Sequence, residues 1–269
     1  MIGFPHAKIN LGLSIVSKRA DGYHELETVF YPVPLRDILE FIPAPVSSFI
    51  STGFSVSGKP ADNLVIRAYE LLKKHFPQIS PLEIHLHKSI PSGAGLGGGS
   101  SDAAFMLKLL NEYFRLGIAS EELNVFALEL GSDCPFFLQS SPCFGAGRGE
   151  KLEPAPVDLA DFSILLIHPE IHISTAWAFS QIVPGRKRFS IKELISCPVS
   201  EWQDHLRNDF EIPVFRQFPE LSEIKTRLYE AGAVYASLTG SGSGLYGIFK
   251  KNGIPLGGIR SNAKQSFLR

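Results

Sequence analysis

Cysteine is scarce in this chain, and its few cysteines form no recognisable framework. The 269 residues include only Cys134, Cys143 and Cys197. The number is odd and no C-x-x-C pair occurs, which argues against both a disulfide scaffold and a zinc site and fits a reducing compartment. We therefore expect a cytoplasmic protein.

Long apolar runs and a charge excess are also missing. No apolar run approaches the roughly 20 residues that a membrane span needs, and the opening residues lack the apolar core of a signal peptide. The formal net charge is −1, so the composition favours neither nucleic acid nor a membrane surface as a partner. We expect a soluble protein of one large or two ordinary domains, without a nucleic-acid or membrane partner.

Glycine, by contrast, is concentrated between residues 91 and 102. An alternating strand pattern precedes this segment at Leu82, Ile84 and Leu86, and an apolar helical pattern is predicted to begin at Ala103. In the order strand, glycine loop, helix, the backbone N–H groups of the loop lie at the helix N-terminus, which is the positive end of the helix dipole. Such a position suits a bound phosphate. A flexible linker is the alternative, and the two closely flanking elements disfavour it.

Three kinds of phosphate loop compete for this segment. A Walker A loop is excluded because no lysine follows the glycines. A dinucleotide fingerprint fits residues 93–98, but the acidic residues at the right distance, Glu121 and Glu122, open a predicted helix instead. The third possibility is another nucleoside triphosphate loop, in which Ser100, Ser101 and the loop amides hold phosphates and Mg²⁺.

The N-terminal part of the chain mixes strand and helix patterns. Alternation over residues 7–16 predicts a strand that carries Lys8 and Asn10 on one face. An exposed strand lysine commonly serves only solubility, so this residue type alone leaves the function of Lys8 open. Asp62 is predicted to cap the N-terminus of the helix that follows it.

Asp133, His85 and His87 each admit a structural and a functional interpretation. Asp133 follows a helix predicted over 120–131 and precedes an apolar run, so it is either an N-cap, which the residues alone favour, or a functional carboxylate. His85 and His87 could bind a metal, but no third ligand is visible, and we expect them to face solvent. The sequence thus predicts no metal site made of side chains alone.

The C-terminal part follows a boundary rich in proline and aspartate near residues 153–161. Predicted strands over 234–238 and 245–249 flank a glycine-containing turn at 239–244. That turn is either a plain hairpin loop or a second backbone cradle facing the first glycine loop. The whole pattern predicts an α+β protein in two parts, 1–153 and 154–269.

Taken together, these segments resemble the GHMP kinase superfamily, in order and over most of the chain. The matching segments are residues 7–11, 19–26, 91–104, 130–137 and 237–244. The resemblance implies a two-domain GHMP kinase fold. Its N-terminal domain, 1–153, would bind ATP and resemble ribosomal protein S5 domain 2, and its C-terminal domain, 154–269, would be ferredoxin-like.

The resemblance also implies roles for individual residues. Asp133 would be the base that takes the proton of a substrate hydroxyl, and Lys8 would keep it ionised and offset charge on the transferring phosphoryl group. Residues implied to bind ATP are Lys88, Pro91, Gly93, Gly95, Leu96, Gly97, Gly98, Gly99, Ser100 and Ser101. Residues implied to bind the second substrate are Asn10, Tyr23, His24, Asp133, His172, Thr175, Gly240 and Ser241.

The turn at Tyr23 and His24 and the segment at 131–137 narrow the resemblance to kinases of a cytidine diphosphate methylerythritol, in the non-mevalonate route to isoprenoids. Tyr23 and His24 would hold the cytosine, and either Trp177 or Phe179 would close over it. ATP and Mg²⁺ are implied as cofactors, and a monomer or weak homodimer as the assembly.

Other functions stay open at this point. Homoserine or mevalonate-type kinases share the loops but have no need of Tyr23 and His24, and a non-catalytic ligand sensor could be built on the same fold. A nicotinamide dehydrogenase depends on the weak dinucleotide fingerprint alone. The chain departs from its relatives after residue 249, with Gly257, Gly258 and a basic tail.

Overall fold

The computed structural model of the protein describes residues 1–56, 58–185 and 189–251 and the backbone of 264–268. Its strands are β1 Ile2–Gly3, β2 His6–Lys18, β3 His24–Arg36, β4 Ile38–Pro43, β5 Ser48–Gly53, β6 Leu82–Lys88, β7 Cys143–Ala146, β8 Lys151–Pro154, β9 Phe162–His168, β10 Tyr235–Leu238, β11 Leu245–Lys250 and β12 Lys264–Leu268. Gly257 and Gly258 lie outside the described residues.

The helices are distributed along the whole chain. They are α1 Leu64–His75, α2 Gly98–Tyr113, α3 Ser120–Leu130, α4 Cys134–Gln139, α5 Thr175–Ser180, α6 Ile191–Leu194, α7 Trp202–His205, α8 Glu211–Gln217 and α9 Pro219–Glu230. Short 3₁₀ turns occupy Pro60–Asp62 and Val199–Glu201. The predicted α+β class is confirmed. Among the described residues, no helix has both the length and the apolar character to cross a membrane.

The first compact unit consists of Met1–Lys8, Pro34–Ser92 and Gly97–Ser140. Its sheet has the strand order β1-β4-β6-β5, with β5 parallel to β6 and the other pairs antiparallel. The apolar residues of β6 alternate as predicted and pack with α1, α2 and α3 in one hydrophobic core. This packing fixes the carboxyl end of β6, and the glycine loop begins at that end of the strand.

The second compact unit consists of Ile9–Val33, Gly93–Leu96 and Ser141–Arg269. Strands β10, β11, β9 and β12 form an antiparallel sheet in that order, and a further sheet has the order β2-β3-β7-β8. The predicted hairpin is confirmed, since Leu238 pairs with Leu245 across it. The two units interleave along the chain, and the predicted domain boundary after residue 153 stays a prediction.

Helix α2 begins earlier than the sequence pattern predicts. It starts at Gly98, with Gly97 at its N-cap in a left-handed conformation at φ 71°, and not at Ala103. Glycine is a poor helix former in isolation. Here Gly98 packs so closely on Ile90 that an added Cβ would lie 2.9 Å from its Cγ2. Tertiary packing therefore overrides local propensity, and glycine is required because a larger side chain would not fit.

One other local prediction is corrected. The cap of α1 is Asn63, whose Oδ1 accepts a hydrogen bond from the Val65 N–H at 2.9 Å. The expected cap, Asp62, lies one residue too early, in the preceding 3₁₀ turn. Helix α8, for which no prediction was made, contains Pro213, and the proline is tolerated because it lies in the first turn.

Candidate active site

Strand β2 carries Lys8 into the interior of the first unit. The residue is only 3% exposed, so the interpretation as a solubilising surface lysine is wrong. Its Nζ lies 3.7 Å from Oδ2 of Asp133, whose side chain is 34% exposed. Burial lowers the pKa of Lys8 from its ordinary value, and the Asp133 carboxylate acts in the opposite direction. The pair joins a buried cation to a carboxylate that solvent, and therefore a substrate, can reach.

Asp133 owes its position to the end of one helix and the start of the next. Helix α3 ends before Gly131, and Asp133 stands at the N-cap position of α4. Its side chain nevertheless makes no capping hydrogen bond. The cap interpretation is thus right about position and wrong about bonding, because the carboxylate is turned toward Lys8 instead.

The N-terminus of α2 lies beside this ion pair within the first unit. A Cβ on Gly97 would lie 2.7 Å from Cζ of Phe137 and 3.2 Å from Cε of Lys8. The Ser100 hydroxyl hydrogen-bonds to Cys134, the residue after Asp133. The structure therefore brings Lys8, Asp133 and the start of a 16-residue helix together, a combination that can bind phosphate and activate a hydroxyl.

Two further side chains near this helix start differ in their chemistry. The Ser101 hydroxyl is buried and has no hydrogen-bond partner within the described part of the chain. Cys134 is also buried, and burial raises the pKa of its thiol to about 12. The thiol of Cys134 therefore stays protonated at neutral pH, whereas the Ser101 hydroxyl keeps its capacity to donate and accept a hydrogen bond.

Lys88, at the end of β6, is held between two buried carboxylates. Its Nζ donates to Oδ2 of Asp37 and, at 2.6 Å, to Oδ2 of Asp102. The other Asp37 oxygen accepts from the N–H groups of Ser89 and Ile90 at 2.6 and 2.8 Å. Burial raises the pKa of Asp102 to about 7, opposed by the Lys88 ammonium. The cluster ties the exit of β6 to α2.

The sequence did not reveal Asp37 and Asp102 as partners of Lys88. Asp102 lies in the first turns of α2, at the end of the polar run Ser100-Ser101-Asp102. An acidic residue next to the apolar positions of that helix was the available sequence signal. Asp37 stands alone between two strands and carries no local signal. The implied contact of Lys88 with the nucleotide stays a prediction, although a Cβ on Gly98 would lie 3.2 Å from its Nζ.

In the second unit, Asn10 is 1% exposed and is bonded on both ends of its amide. Its Nδ2 donates to Oγ1 of Thr28 at 3.0 Å. Its Oδ1 accepts from the Gly240 N–H at 2.9 Å and lies 3.3 Å from the Thr239 hydroxyl oxygen. Asn10 therefore orients the second glycine turn, while its implied contact with a substrate stays a prediction.

That turn packs against the start of the first glycine loop, and both segments belong to the second unit. The Thr239 hydroxyl donates to the Gly95 carbonyl at 3.1 Å, and the Gly244 N–H donates to the Ala94 carbonyl at 3.2 Å. A Cβ on Gly95, where φ is +72°, would lie 2.0 Å from the backbone carbonyl oxygen of Thr239. The turn is a hairpin loop that also packs against the first loop, and its role as a second backbone cradle stays a prediction.

The aromatic partner of His24 is now identified. The ring of Phe179 stacks on His24 with 5.0 Å between centroids and 25° between planes. Trp177 instead packs edge-on against Phe218. Burial lowers the pKa of His24, which favours its neutral imidazole. Phe179, and not Trp177, is therefore the aromatic side chain that lies beside His24, the residue predicted to bind the cytosine.

The neighbouring residues of this turn are partly exposed. Tyr23 is 53% exposed, and the Arg148 guanidinium lies 4.7 Å from its ring centroid. Arg19 ties the turn together through Asp21 and Glu25, at 2.9 and 3.0 Å. Sequence reasoning did not single out Arg148, because a lone arginine 125 residues from its aromatic partner leaves no local pattern. The ion pairs of Arg19 therefore hold the turn in place, and the ring of Tyr23 stays accessible to a ligand.

The remaining substrate-side residues also meet in the second unit. The Thr175 and Ser241 hydroxyl oxygens are 3.3 Å apart. A Cβ on Gly93 would lie 3.7 Å from Nδ1 of His172. These four residues connect the segment at 172–175 to both glycine loops, which sequence spacing alone could not establish.

No cluster of three or more histidine, cysteine or acidic side chains arranged for a metal occurs among the described residues. His85 and His87 both hydrogen-bond to the Thr52 hydroxyl, at 2.9 and 3.0 Å. His87 is exposed, which confirms that it faces solvent as expected. His85 is half-buried, so the same expectation is only partly confirmed for it.

Two family models match the chain. Residues 63–141 match the family described as GHMP kinases N terminal domain, and residues 192–254 match the family described as GHMP kinases C terminal. A 4-diphosphocytidyl-2-C-methyl-D-erythritol kinase from Bacteroides thetaiotaomicron is 54% identical over 257 residues, covering 94% of this chain and 93% of the relative. One of the same name from Parabacteroides distasonis is 50% identical over 251 residues, covering 93% and 92%.

Solved structures agree. The crystal structure of a 4-(cytidine 5'-diphospho)-2C-methyl-D-erythritol kinase superposes with a TM-score of 0.79 at 33% identity, covering 92% of this chain and 90% of the other. A homoserine kinase from Cytophaga hutchinsonii superposes with a TM-score of 0.65 at 16% identity, covering 98% and 93%. The second likeness is one of fold alone.

Proposed function

Since this chain belongs to the GHMP kinases, in the family of 4-diphosphocytidyl-2-C-methyl-D-erythritol kinases, we propose that it phosphorylates 4-diphosphocytidyl-2-C-methyl-D-erythritol. ATP supplies the phosphoryl group, the 2-hydroxyl receives it, and the products are the 2-phosphate and ADP. The reaction belongs to the non-mevalonate route to isoprenoids. The observation that carries the proposal is the Lys8–Asp133 pair beside the N-terminus of α2.

In the proposed mechanism, Asp133 accepts the proton of the 2-hydroxyl. A carboxylate is a weak base toward an alcohol, so the proton leaves late, when bond formation to phosphorus has made the hydroxyl more acidic. Phosphoryl transfer has a loose, highly charged transition state, and positioning and electrostatics supply most of the catalysis. The buried ammonium of Lys8 keeps Asp133 charged and offsets negative charge on the transferring group.

ATP is proposed to bind along the glycine loop. Backbone N–H groups of Gly95–Ser101 at the start of α2 would hold its phosphates, and Lys88 and Pro91 would border the nucleotide. Mg²⁺ is usually bound through phosphates and one or two protein oxygens, which fits a chain whose described residues form no acidic cluster. The buried Ser101 hydroxyl and Ser100 are the proposed protein ligands, and Mg²⁺ there would neutralise phosphate charge.

The cytidine end of the substrate is proposed to bind at Tyr23 and His24, with Phe179 closing over the cytosine. A stacked aromatic and a neutral imidazole suit a flat base with hydrogen-bonding edges. Asn10, His172, Thr175, Gly240 and Ser241 are proposed to line the substrate. The cytoplasmic location and the assembly as a monomer or weak homodimer stay predictions.

A coupled assay of ADP release tests the proposal. The protein is incubated with ATP, Mg²⁺ and one of three acceptors, namely the cytidine diphosphate methylerythritol, homoserine or mevalonate. We expect turnover with the first alone, and none when Mg²⁺ is removed by a chelator. Turnover with homoserine or mevalonate in its place would assign the chain to another GHMP activity, and no turnover with any acceptor would favour a ligand sensor.

A further inference from the structure

Asn208, in the segment between α7 and α8 of the second unit, is a buried asparagine that the proposed mechanism does not use. Its Nδ2 donates to the backbone carbonyl of Gly240 at 2.8 Å and to that of Leu238 at 2.9 Å. Its Oδ1 accepts from the Phe210 N–H at 3.0 Å. Because two carbonyls lie at one end of the amide and an N–H lies at the other, the orientation of the amide is fixed.

The segment that carries Asn208 is itself bonded to strand β2. The Leu13 N–H donates to the Arg207 carbonyl at 2.9 Å, and the Asp209 N–H donates to the Leu13 carbonyl at 2.8 Å. A side chain adds a third bond, because Oδ2 of Asp209 accepts from the Ile15 N–H at 2.9 Å. Strand β2 is buried over most of its length, so Asn208 is held on a rigid support.

Two asparagines bond the two polar groups of Gly240 in the second glycine turn. The Gly240 N–H donates to Oδ1 of Asn10 at 2.9 Å, and the Gly240 carbonyl accepts from Nδ2 of Asn208 at 2.8 Å. Both asparagines are 1% exposed, so water does not compete for either bond. The backbone of Gly240 is therefore held by buried side chains from two distant parts of the second unit.

The peptide between Gly240 and Ser241 is the central peptide of a β-turn. The turn runs from Thr239 to Gly242, because the Gly242 N–H donates to the Thr239 carbonyl at 3.0 Å. This bond closes the turn without fixing the direction of the central peptide, and β-turn types I and II differ mainly in that direction. The bond from Asn208 to the Gly240 carbonyl supplies the missing constraint.

A constraint on the Gly240 carbonyl also sets the direction of the next N–H group. A trans peptide is planar, so the Gly240 carbonyl and the Ser241 N–H point in opposite directions. Within the described part of the chain, that N–H has no hydrogen-bond partner. We propose that Asn208 is a positioning residue, which fixes the central peptide so that the Ser241 N–H is available to an oxygen of the acceptor substrate. The inference rests on the proposed function, in which Ser241 lines that substrate.

Asn208→Asp tests the proposal by steady-state kinetics of the full chain. The substitution keeps the size of the side chain but sets a carboxylate oxygen against two carbonyls. The KM for the cytidine diphosphate methylerythritol should rise at least about tenfold, as expected for the loss of one hydrogen bond to the substrate. The KM for ATP should stay unchanged, since Thr239 and Gly244 still bond the first glycine loop. Asn208→Ala, which adds no charge, should give the same pattern.

Asn111→Asp is the matched control for a purely structural amide. Asn111 is half-buried, its Nδ2 donates to the Ile118 carbonyl at 3.0 Å, and its Oδ1 accepts from the Ile118 N–H at 3.1 Å. The variant should lower the melting temperature and leave both KM values unchanged. An equal rise of the acceptor KM in Asn111→Asp and Asn208→Asp would overturn the proposal.

NMR of the backbone amides tests the Asn208 contact without any substrate. In Asn208→Asp and Asn208→Ala the amide signals of Ser241 and Gly242 should shift or broaden, because the central peptide is then free to change direction. Unchanged signals would overturn the proposal, and so would changed signals together with a normal KM for the acceptor. A wild-type protein that does not turn over this acceptor would overturn the proposed function and the substrate contact, while the NMR comparison would still decide whether Asn208 holds the turn.

Discussion

At the scale of single residues, the burial of Lys8 decides how the candidate site operates. An ammonium with 3% exposure has lost most of its hydration, which disfavours its charged form. The nearby Asp133 carboxylate partly compensates, because it favours the charged form of Lys8. The same desolvation strengthens the field that Lys8 exerts on a phosphoryl group.

Replacing the carboxylate of Asp133 should remove its function as a base. We expect Asp133→Asn to lower kcat by roughly 10² to 10⁴, because the amide cannot accept the substrate proton. Steady-state kinetics and a thermal melt measure rate and folding together. Asp158→Asn is the control, since Asp158 is exposed and bonds only the Ala160 N–H within the described residues. A near-normal rate for Asp133→Asn would rule out its role as the base.

The lowered pKa of Lys8 predicts an alkaline limit of activity. Burial favours loss of its proton, so kcat/KM should fall as pH rises through a value below about 10.4, the ordinary lysine pKa. Arginine keeps its charge at all accessible pH values, so Lys8→Arg should be slower but should retain its rate to higher pH. Rate measurements over the alkaline range would contradict this assignment if both proteins lost activity at the same pH.

At the scale of elements, the cluster of Asp37, Lys88 and Asp102 fixes how β6 leads to α2. Lys88 ends the strand, Asp102 lies in the first turns of the helix, and Asp37 caps the backbone between them. Removing one partner of a buried ion cluster leaves an uncompensated charge, which costs more than the intact cluster contributes. The geometry of the glycine loop therefore depends on a group that need not contact a ligand bound there.

Lys88→Met should accordingly destabilise the protein strongly. We expect a loss of about 3 to 5 kcal/mol in the free energy of unfolding, because two buried carboxylates lose their cation. Lys192→Met is the matched control, since Lys192 pairs with Glu153 while both side chains are at least 60% exposed, and such exposed pairs contribute little to stability. Urea denaturation measures both. Equal losses in the two variants would contradict the role assigned to the cluster.

The contact between the two glycine segments is a second feature at this scale. Gly95→Ala should raise the KM for ATP at least about tenfold, because the new Cβ would meet the Thr239 carbonyl at 2.0 Å and displace the loop. Gly117→Ala is the control, because it carries the same backbone strain without the steric clash. Gly117 has a similar φ of +71°, and an added Cβ there would have no atom within 4 Å. If both variants bind ATP equally well, the close approach has no functional consequence.

At the scale of the whole molecule, binding of ATP should appear as added stability. ATP at about 100 times its dissociation constant should stabilise the native state by about 2.7 kcal/mol, or roughly 5 to 10 °C in melting temperature. NAD should produce no shift, because the dinucleotide fingerprint lacks its ribose-binding acid. Thermal denaturation with each ligand, in the wild-type protein and in Gly95→Ala, provides the measurement. A shift with NAD alone would favour the dehydrogenase interpretation.

Much of the molecule follows from local sequence, and particular residues show where that ends. Alternation predicted β6, and Ser120 and Gly131 bounded α3 correctly, because these signals depend on near neighbours. The start of α2 was wrong because packing against Ile90 compensates for the poor helix propensity of glycine. Asp37 was missed because its partners lie 51 to 53 residues away.

The sequence by itself determined the α+β class and the order of the motifs, since short-range periodicity carries that information, and the resemblance of those motifs to the GHMP kinases implied the candidate catalytic residues. Only the tertiary structure decided that Asp133 turns toward Lys8, that Phe179 rather than Trp177 stacks on His24, and that Thr239 supports Gly95 from 144 residues away. The physical reason is that such contacts depend on how distant elements pack, and packing is a property of the folded chain.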